Sequence, residues 1–175
     1  MRTNSATSRR GQPRGNSKSK FRPFKNVERA LNPSGRRLRV DETTSNRLGQ
    51  IRQKGTSAEL AVRKIVSRIG HRYTTSNRDL PGSPDLASRR HGWAVFVHGC
   101  YWHSHEGCPR ATVPKNNREF WLAKFARNRE RDAEAKRQLE AAGFSVAVLW
   151  ECEVEGSSDI GRMLGRVLPA TNPRR

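Results

Sequence analysis

The residues best suited to chemistry lie in one short stretch, residues 96–108, with the sequence FVHGCYWHSHEGC. Within it, Cys100, His105 and Cys108 offer two thiolates and an imidazole, and Cys152, the remaining cysteine, follows a second apolar run that would bring it alongside. Four such ligands are typical of a closed tetrahedral zinc site. The alternative interpretation is a pair of buried free cysteines beside a surface histidine.

Three further side chains in this stretch, Tyr101, Trp102 and His103, lie between the candidate zinc ligands. A loop pinned by metal would hold the intervening side chains out towards a partner. Aromatic side chains next to positive charge suit stacking on or between nucleic-acid bases. The alternative is that Trp102 belongs to the hydrophobic core.

The charge of the 175-residue chain indicates a polyanionic partner, since 35 Lys and Arg against 16 Asp and Glu give a net charge of +19. Residues 1–40 carry 12 basic residues and one acid. The predicted organisation is a disordered basic arm at 1–40, one folded domain at 41–170 and a disordered tail at 171–175. The arm suits non-specific phosphate contact, or it is a solvated tail without a role.

Neither end of the chain nor its interior shows a membrane or export signal. No apolar run reaches the length of a membrane span, and the N-terminus, MRTNSATSRRGQPRG, lacks the apolar segment of a signal peptide. We therefore expect a cytoplasmic protein with no membrane partner. Three cysteines in such a chain argue against a disulfide scaffold.

A helix is predicted at about residues 57–69, before Gly70. It begins at a capping box, Thr56-Ser-Ala-Glu59. The Thr56 hydroxyl accepts a hydrogen bond from the Glu59 backbone amide, and the Glu59 carboxylate reaches back to the start of the helix. Capping is by itself a sufficient role for Glu59. Apolar residues then recur at helical spacing.

Three short strands should follow this helix, at residues 71–75, 85–90 and 93–97. Between the first two, Asp79-Leu-Pro-Gly-Ser-Pro-Asp85 forces a turn. The last two strands form an antiparallel hairpin, which places Asp85 beside Val97 and His98. A carboxylate in that position is a candidate magnesium ligand.

A long charged helix is predicted at about 117–142, with Phe120, Trp121 and Phe125 at its buried end. A stripe of Lys124, Arg127, Asn128 and Arg131 on neighbouring turns suits phosphate contact, although a solvated face is the alternative for most of these charges. The apolar run 144–150 then predicts a central strand, and a last helix is expected at about 158–168.

The order helix, strand, strand, strand, helix, strand resembles the αβββαβ core of restriction-endonuclease-like nucleases, an α/β (α+β) fold whose mixed sheet is flanked by helices. Pro84-Asp85 stands where that superfamily carries its Pro-Asp pair. The strand at 93–97 lacks the Asp/Glu-x-Lys that usually follows.

With the HGCYWH loop, the sequence closely resembles the very-short-patch repair endonucleases, the Vsr family, over residues 44–155. The matching motifs are Thr56-Ser-Ala-Glu59, Leu80-Pro-Gly-Ser-Pro-Asp85, His98-Gly-Cys-Tyr-Trp-His103, Glu119-Phe-Trp-Leu-Ala-Lys124, Asn128, Arg131-Asp132 and Trp150-Glu-Cys152. The resemblance implies a magnesium-dependent endonuclease with a structural zinc loop. It would nick DNA on the 5′ side of the thymine in T:G mismatches that arise from 5-methylcytosine deamination.

The same resemblance implies roles for single residues in catalysis. Asp85 and the backbone carbonyl of Val97 would hold magnesium, and Val97 replaces a threonine that some members carry. His103 would act as general base or position the attacking water. Glu59 and Asp132 match acidic or polar positions near the active site.

The resemblance also implies the zinc ligands Cys100, His105, Cys108 and Cys152. One more residue separates His105 from Cys108 than the family pattern has, which leaves the ligation of Cys108 open. The implied DNA contacts are Leu48, Tyr101, Trp102, Lys124 and Asn128.

The implied partner is double-stranded DNA with a T:G mismatch, bound by a monomer in the cytoplasm near the nucleoid, with mismatch-repair proteins as further partners. Two alternatives stay open at this point. One is a restriction-type endonuclease acting on unmodified duplex. The other is a non-catalytic zinc module that binds nucleic acid, in which Asp85 and His103 would matter for binding alone.

Deleting residues 1–40 is expected to weaken binding to all duplexes about equally and to flatten the salt dependence of binding, because non-specific phosphate contacts release counterions. The preference for mismatched duplex should survive. Salt titrations of duplex binding check this, and a truncated protein that lost discrimination but kept its affinity would show that the arm recognises sequence.

Overall fold

The computed structural model describes residues 55–157 and 159–169, together with Gly35. Leu48, the predicted tail and the rest of the predicted arm lie outside these residues. Within the described part, the chain forms, in order, α1 (Ser57–Arg68), β1 (Leu86–Ser88), β2 (Trp93–His98), α2 (Arg118–Ala141), β3 (Ser145–Trp150), α3 (Glu151–Gly156) and α4 (Ile160–Gly165).

Helix α1 begins at the predicted capping box. The Glu59 amide donates to the Thr56 hydroxyl at 3.2 Å, and a Glu59 carboxylate oxygen accepts from the Gly55 amide at 2.9 Å. The helix ends at Arg68, one residue before the predicted end. Its apolar side packs into the core through Ala58, Val62 and Val66.

The strands form a mixed sheet in the order β1-β2-β3, in agreement with the predicted α+β class. Strands β1 and β2 are antiparallel, with Leu86 opposite Val95, so the predicted hairpin is confirmed. Strands β2 and β3 run parallel, with His98 opposite Trp150. The carboxyl ends of β2 and β3 therefore lie side by side at one end of the sheet.

The strand predicted at residues 71–75 is reduced to a single bridge between Thr74 and Ala87. The Asn77 side-chain amide donates to the Thr74 carbonyl at 3.0 Å and to the Pro84 carbonyl at 3.0 Å. These hydrogen bonds stabilise a turn directly after Thr74, so the strand does not extend beyond the single bridge.

Strand β3 was predicted to be central, and this is wrong for the described sheet, in which β2 is the central strand. The apolar character of β3 has another cause, because helices cover both of its faces. Ala147 and Leu149 pack into the core beside α1, α3 and α4, whereas Val146 and Val148 pack on the α2 side. An edge strand covered on both faces is as apolar as a central one.

Helix α2 runs one residue short of the predicted range at each end. It ends where Gly143 adopts a φ of +83° and the Phe144 amide donates to the Leu139 carbonyl at 3.0 Å, which is a Schellman-type termination.

Among the described residues, no helix is both long and apolar enough to cross a membrane.

Helix α3 was not predicted and begins directly after β3. The Trp150 amide donates to the Glu153 carboxylate at 2.9 Å, which stabilises the first turn. Cys152 lies in that turn. Helix α4 falls within the range predicted for the last helix, and its Ile160 and Leu164 are buried in the core.

Gly82 fixes the turn before β1 against α2. It has a φ of +70°, and a Cβ built on it would lie 2.7 Å from the Ala135 Cβ and 3.1 Å from the Phe96 ring. Only glycine fits both the backbone conformation and the close approach. The turn that leads to Asp85 is thus packed against the part of α2 that carries Asp132.

Gly82→Ala is expected to lower the free energy of unfolding by about 2 to 4 kcal/mol, because left-handed strain adds to overpacking. Gly143→Ala is the matched control, since Gly143 also has positive φ but its Cβ would have open space around it. That variant should lose about 1 to 2 kcal/mol. Urea unfolding measures both values, and equal losses would show that the approach to Ala135 does not matter.

Candidate active site

The parallel pairing of β2 and β3 gathers the candidate metal ligands. The loop after His98 and helix α3 after Trp150 begin side by side, at the carboxyl ends of β2 and β3. Cys100, His105, Cys108 and Cys152 form one group there, with all ligand atoms within 4.8 Å of one another. The sequence therefore identified four side chains that the fold brings together.

The distances in this group fit a tetrahedral ion. His105 Nδ1 lies 3.7 Å from the Cys100 sulfur and 3.3 Å from the Cys152 sulfur. Zinc with sulfur and nitrogen ligands at normal bond lengths separates such atoms by about 3.6 Å. The donor set, three thiols and one imidazole, is also the one that zinc prefers.

The extra residue between His105 and Cys108 is taken up by a tight turn. The Cys108 amide donates to the His105 carbonyl at 3.3 Å, and Gly107 has a φ of +71°. Cys108 consequently stays within reach of the other three ligands, despite the longer spacing.

Burial makes an isolated thiol at Cys100 hard to ionise. The side chain is fully buried, and this burial raises its pKa to about 12. A metal ion favours the thiolate over the thiol and would offset this cost. The His105 ring is held for ligation by stacking on Trp150, with ring centroids 4.1 Å apart and planes at 3°.

Asp85 lies where the hairpin prediction placed it. Its Oδ2 accepts a hydrogen bond from the Val97 amide at 2.8 Å, and its own amide donates to the Val95 carbonyl at 3.0 Å. The carboxylate is thus fixed at the end of β2, next to the start of the HGCYWH loop. One carboxylate combined with water and a substrate phosphate is a common way to bind magnesium.

His103 contacts Asp132 of α2 through its Nδ1. A carboxylate accepts hydrogen bonds but donates none, so Nδ1 carries the hydrogen and the neutral ring keeps a lone pair on Nε2. Each side chain is about a quarter exposed. This arrangement resembles the orientation of a general base by a carboxylate.

His98 lies in the candidate site, although the sequence analysis assigns no role to it. Its ring stacks on that of His103, with centroids 3.9 Å apart and planes at 9°. Burial, followed by the charge of His103, lowers the pKa of His98 to about 4, so it stays neutral at pH 7. The signals in the sequence were its position at the end of an apolar strand and its place at the start of the HGCYWH motif.

His98, His103 and Asp132 lie close enough to form a second candidate metal group, with ligand atoms within 4.8 Å of one another. The stacking argues against shared ligation by the two imidazoles. Nitrogen lone pairs lie in the ring plane, and those of two parallel stacked rings do not converge on one ion. The stacked imidazoles of His98 and His103 are therefore better suited to proton transfer than to binding one metal ion.

A cleft of about 420 Å³ opens beside these side chains. It lies between α2, the sheet and the loop that follows Trp102. The lining residues are Phe96, His98, Val148 and Trp150 from the sheet, residues 103–106 from the loop, and Arg129, Asp132, Ala133 and Lys136 from α2.

Tyr101 and Trp102 do not project outward as expected, but are half-buried against the start of α2. The Tyr101 ring lies 5.8 Å from that of Trp121 and 5.5 Å from that of Phe125. Burial raises the pKa of Tyr101 to about 12. Neighbouring aromatics on α2 offer these rings more apolar contact than solvent does. Their role in DNA binding stays a prediction.

The predicted basic stripe does not form one surface. The Lys124 ammonium lies 5.3 Å from the Trp121 ring centroid and 5.8 Å from that of Trp102. Burial, followed by the charge of Arg127, lowers the pKa of Lys124 to about 8. Asn128 is buried and donates to the Trp102 carbonyl at 2.9 Å. The DNA contacts assigned to Lys124 and Asn128 stay predictions.

Glu59 has the capping role that was sufficient to explain it. The residue is 4% exposed, and its carboxylate also pairs with Arg63 at 3.2 Å. Its catalytic role stays a prediction.

Comparison with known proteins shows what this site belongs to. A family model described as DNA mismatch endonuclease Vsr matches residues 38–110. The type II nicking enzyme V.XorIIP of Xanthomonas oryzae pv. oryzae is 40% identical over 71% of this chain and 88% of that protein. The chain belongs to the Vsr family.

Two further relatives match over similar lengths. The type II nicking enzyme V.NmeAIP of Neisseria meningitidis is 37% identical over 72% of this chain and 91% of that protein. The DNA mismatch endonuclease Vsr of Escherichia coli is 32% identical over 65% of this chain and 72% of that protein. The resemblance seen in the motifs is confirmed, and the chain is a Vsr-family DNA endonuclease.

Asn128→Ala is expected to lower the free energy of unfolding by about 1 to 3 kcal/mol, because it leaves the Trp102 carbonyl without its buried donor. Asn116→Ala, at an exposed position just before α2, is the control and should change stability little. Denaturant titrations compare the two. An Asn128 variant as stable as wild type would show that the hydrogen bond to Trp102 does not stabilise the fold.

Proposed function

We propose that this Vsr-family endonuclease nicks duplex DNA on the 5′ side of the thymine in T:G mismatches that arise from 5-methylcytosine deamination. The observation that carries the proposal is the His103–Asp132 contact, which leaves an imidazole nitrogen with a lone pair at an open cleft. The similarity to a relative named as a DNA mismatch endonuclease supports the choice of substrate.

His103 is the proposed general base. Its Nε2 takes a proton from the attacking water, and the Asp132 carboxylate then stabilises the imidazolium that results. His98 contributes by remaining neutral, since a second positive charge stacked on the ring would oppose this proton uptake. Phosphodiester hydrolysis near pH 7 needs such a base.

Asp85 and the Val97 carbonyl are the proposed magnesium ligands. Bound there, magnesium would supply positive charge to the phosphate oxygens and to the leaving oxygen. The hydrogen bond from the Val97 amide holds the Asp85 carboxylate in a fixed orientation at the strand end. Glu59 is retained as a proposed residue of the wider active site.

The proposed metal of the Cys100, His105, Cys108 and Cys152 group is structural zinc. The purified protein is expected to contain about one zinc, and Cys152→Ser should lose both the metal and the folded loop, because the loop depends on the closed site. Metal analysis and circular dichroism check this. A full zinc complement in that variant would remove Cys152 from the ligand set.

Mismatch recognition is proposed to use the aromatic pair Tyr101 and Trp102 as wedges between bases. A wobble pair is more easily unstacked than a matched pair, so insertion costs less at a T:G site. The pair has to leave its packing against α2 to do so. Lys124, Asn128 and Leu48 are retained as proposed DNA contacts.

The proposed setting of this reaction is the nucleoid of the cytoplasm, with the enzyme acting as a monomer. Mismatch-repair proteins are proposed as further partners.

A restriction-type endonuclease acting on unmodified duplex is the second candidate, because several relatives are named type II nicking enzymes. One assay separates the two functions. It compares magnesium-dependent nicking of T:G duplexes with that of matched, unmodified duplexes in several sequence contexts. Nicking at T:G sites alone supports the proposal, and equal or greater nicking of matched duplex would contradict it.

His103→Ala and Trp102→Ala should separate catalysis from recognition. Loss of the proton acceptor is expected to slow nicking by about 10²-fold or more while binding to T:G duplex stays near wild type. Loss of the Trp102 ring is expected to reduce the preference for mismatched duplex, since stacking contributes about 1 to 3 kcal/mol per base.

The control for the histidine variant is His91→Ala, at an exposed turn between β1 and β2. It should nick as wild type does. If His103→Ala and Trp102→Ala lost binding to the same extent, both side chains would be structural parts of the loop, and the catalytic role of His103 would fall.

A further inference from the structure

One side of α2 faces the candidate cleft. Arg129, Asp132, Ala133 and Lys136 all line it, and their spacing places them on successive turns of the same helical face. This face differs from the basic stripe that the sequence predicted. It contains the partner of the proposed general base and two cations for which neither the motifs nor the comparisons suggest a role.

Arg129 and Lys136 lie on opposite sides of Asp132, each about one helical turn away. Seven residues of helix separate their backbones by about 10 Å. Phosphates along one DNA strand advance by about 3.4 Å per nucleotide along the duplex axis and also wind around it, so their separation exceeds this rise and a distance of about 10 Å spans roughly one to two nucleotides. Two cations flanking the His103 partner therefore match phosphates on the two sides of a nicked bond.

The ionic contacts of the two side chains leave them available for phosphate. Within residues 55–157 and 159–169, Arg129 forms no ion pair. Lys136 pairs with Glu140 at 3.7 Å, and both side chains are about half exposed, which makes a weak pair that exchanges readily. Arg137, on the same helix, pairs closely with Glu134 at 2.6 Å and does not line the cleft.

The carboxylates that line the cleft do not neutralise Arg129 and Lys136. Asp132 is engaged by His103, and Glu106 lies on the opposite, loop side. An arginine binds phosphate through its planar fork, and a lysine acts as a point charge, so each side chain suits a contact with one backbone phosphate.

We infer that Arg129 and Lys136 form a phosphate clamp, which binds two backbone phosphates of the nicked strand on either side of the bond attacked beside His103. The inference rests on the proposed function only for the location of that bond. The clamp makes backbone contacts, so it contributes to affinity and to the position of the strand but not to mismatch preference.

The test compares Arg129→Ala, Lys136→Ala and the double variant with Arg137→Ala, the control on the same helix. Binding to matched and T:G duplexes is measured over a salt series. The double variant should lower the slope of log affinity against log salt by about 1.8, and each single variant by about half of that. The ratio of T:G to matched affinity should not change, and Arg137→Ala should behave as wild type.

Arg129→Lys should restore most of the salt slope lost in Arg129→Ala, because it restores the charge. Thermal unfolding of each variant shows that the fold is retained. A double variant with the wild-type slope and affinity would overturn the clamp, and so would an equal effect from Arg137→Ala.

Failure of the clamp and failure of the proposed function give different results. If wild type nicks T:G duplex but the double variant keeps the wild-type slope, the clamp alone is wrong. If wild type nicks no mismatched duplex but the double variant still loses the slope, the two residues are phosphate contacts and the proposed reaction is wrong.

Discussion

The geometry of the candidate site depends most, we propose, on metal binding by the four side chains Cys100, His105, Cys108 and Cys152, which join the loop after β2 to the first turn of α3. His103 lies in the chain between Cys100 and His105, so its backbone is held on both sides by residues of this group. A loop held in this way would keep His103 in contact with Asp132. We propose that an ion bound by this group holds the loop together with the hydrogen bond from Asn128 to the Trp102 carbonyl and the stacking of His105 on Trp150.

The fold places these residues through ordinary packing rather than through special local conformations. Parallel pairing of β2 with β3 brings two loops to one sheet edge, and helices on both faces bury the sheet. Close approach of Gly82 to Ala135 then links the turn before Asp85 to the helix that carries Asp132. In the proposed mechanism, a change in these contacts would displace the Asp132 carboxylate relative to the His103 imidazole and slow the reaction.

Much of this arrangement was predictable from the sequence, because its signals are local. The capping box defined α1, the hairpin placed Asp85 beside Val97, and the thiols with one imidazole indicated a metal group. Effects that depend on tertiary surroundings were not predictable. Because helices cover both faces of β3, its sequence is as apolar as that of a central strand. The outward position expected for the Tyr101–Trp102 pair was wrong, because packing on α2 buries more apolar surface. The low pKa of His98 arises from burial that no sequence pattern reports.

The proposed dependence of nicking on a zinc ion at this group is tested most directly by removing zinc while magnesium is kept in excess. A zinc-selective chelator is applied to the folded protein, and nicking of a T:G duplex is then measured under single-turnover conditions. We expect the rate to fall by about 10²-fold or more, because His103 loses its position as a base. The rate should return with added zinc and not with further magnesium. A zinc-free protein that nicked at the full rate would contradict the account.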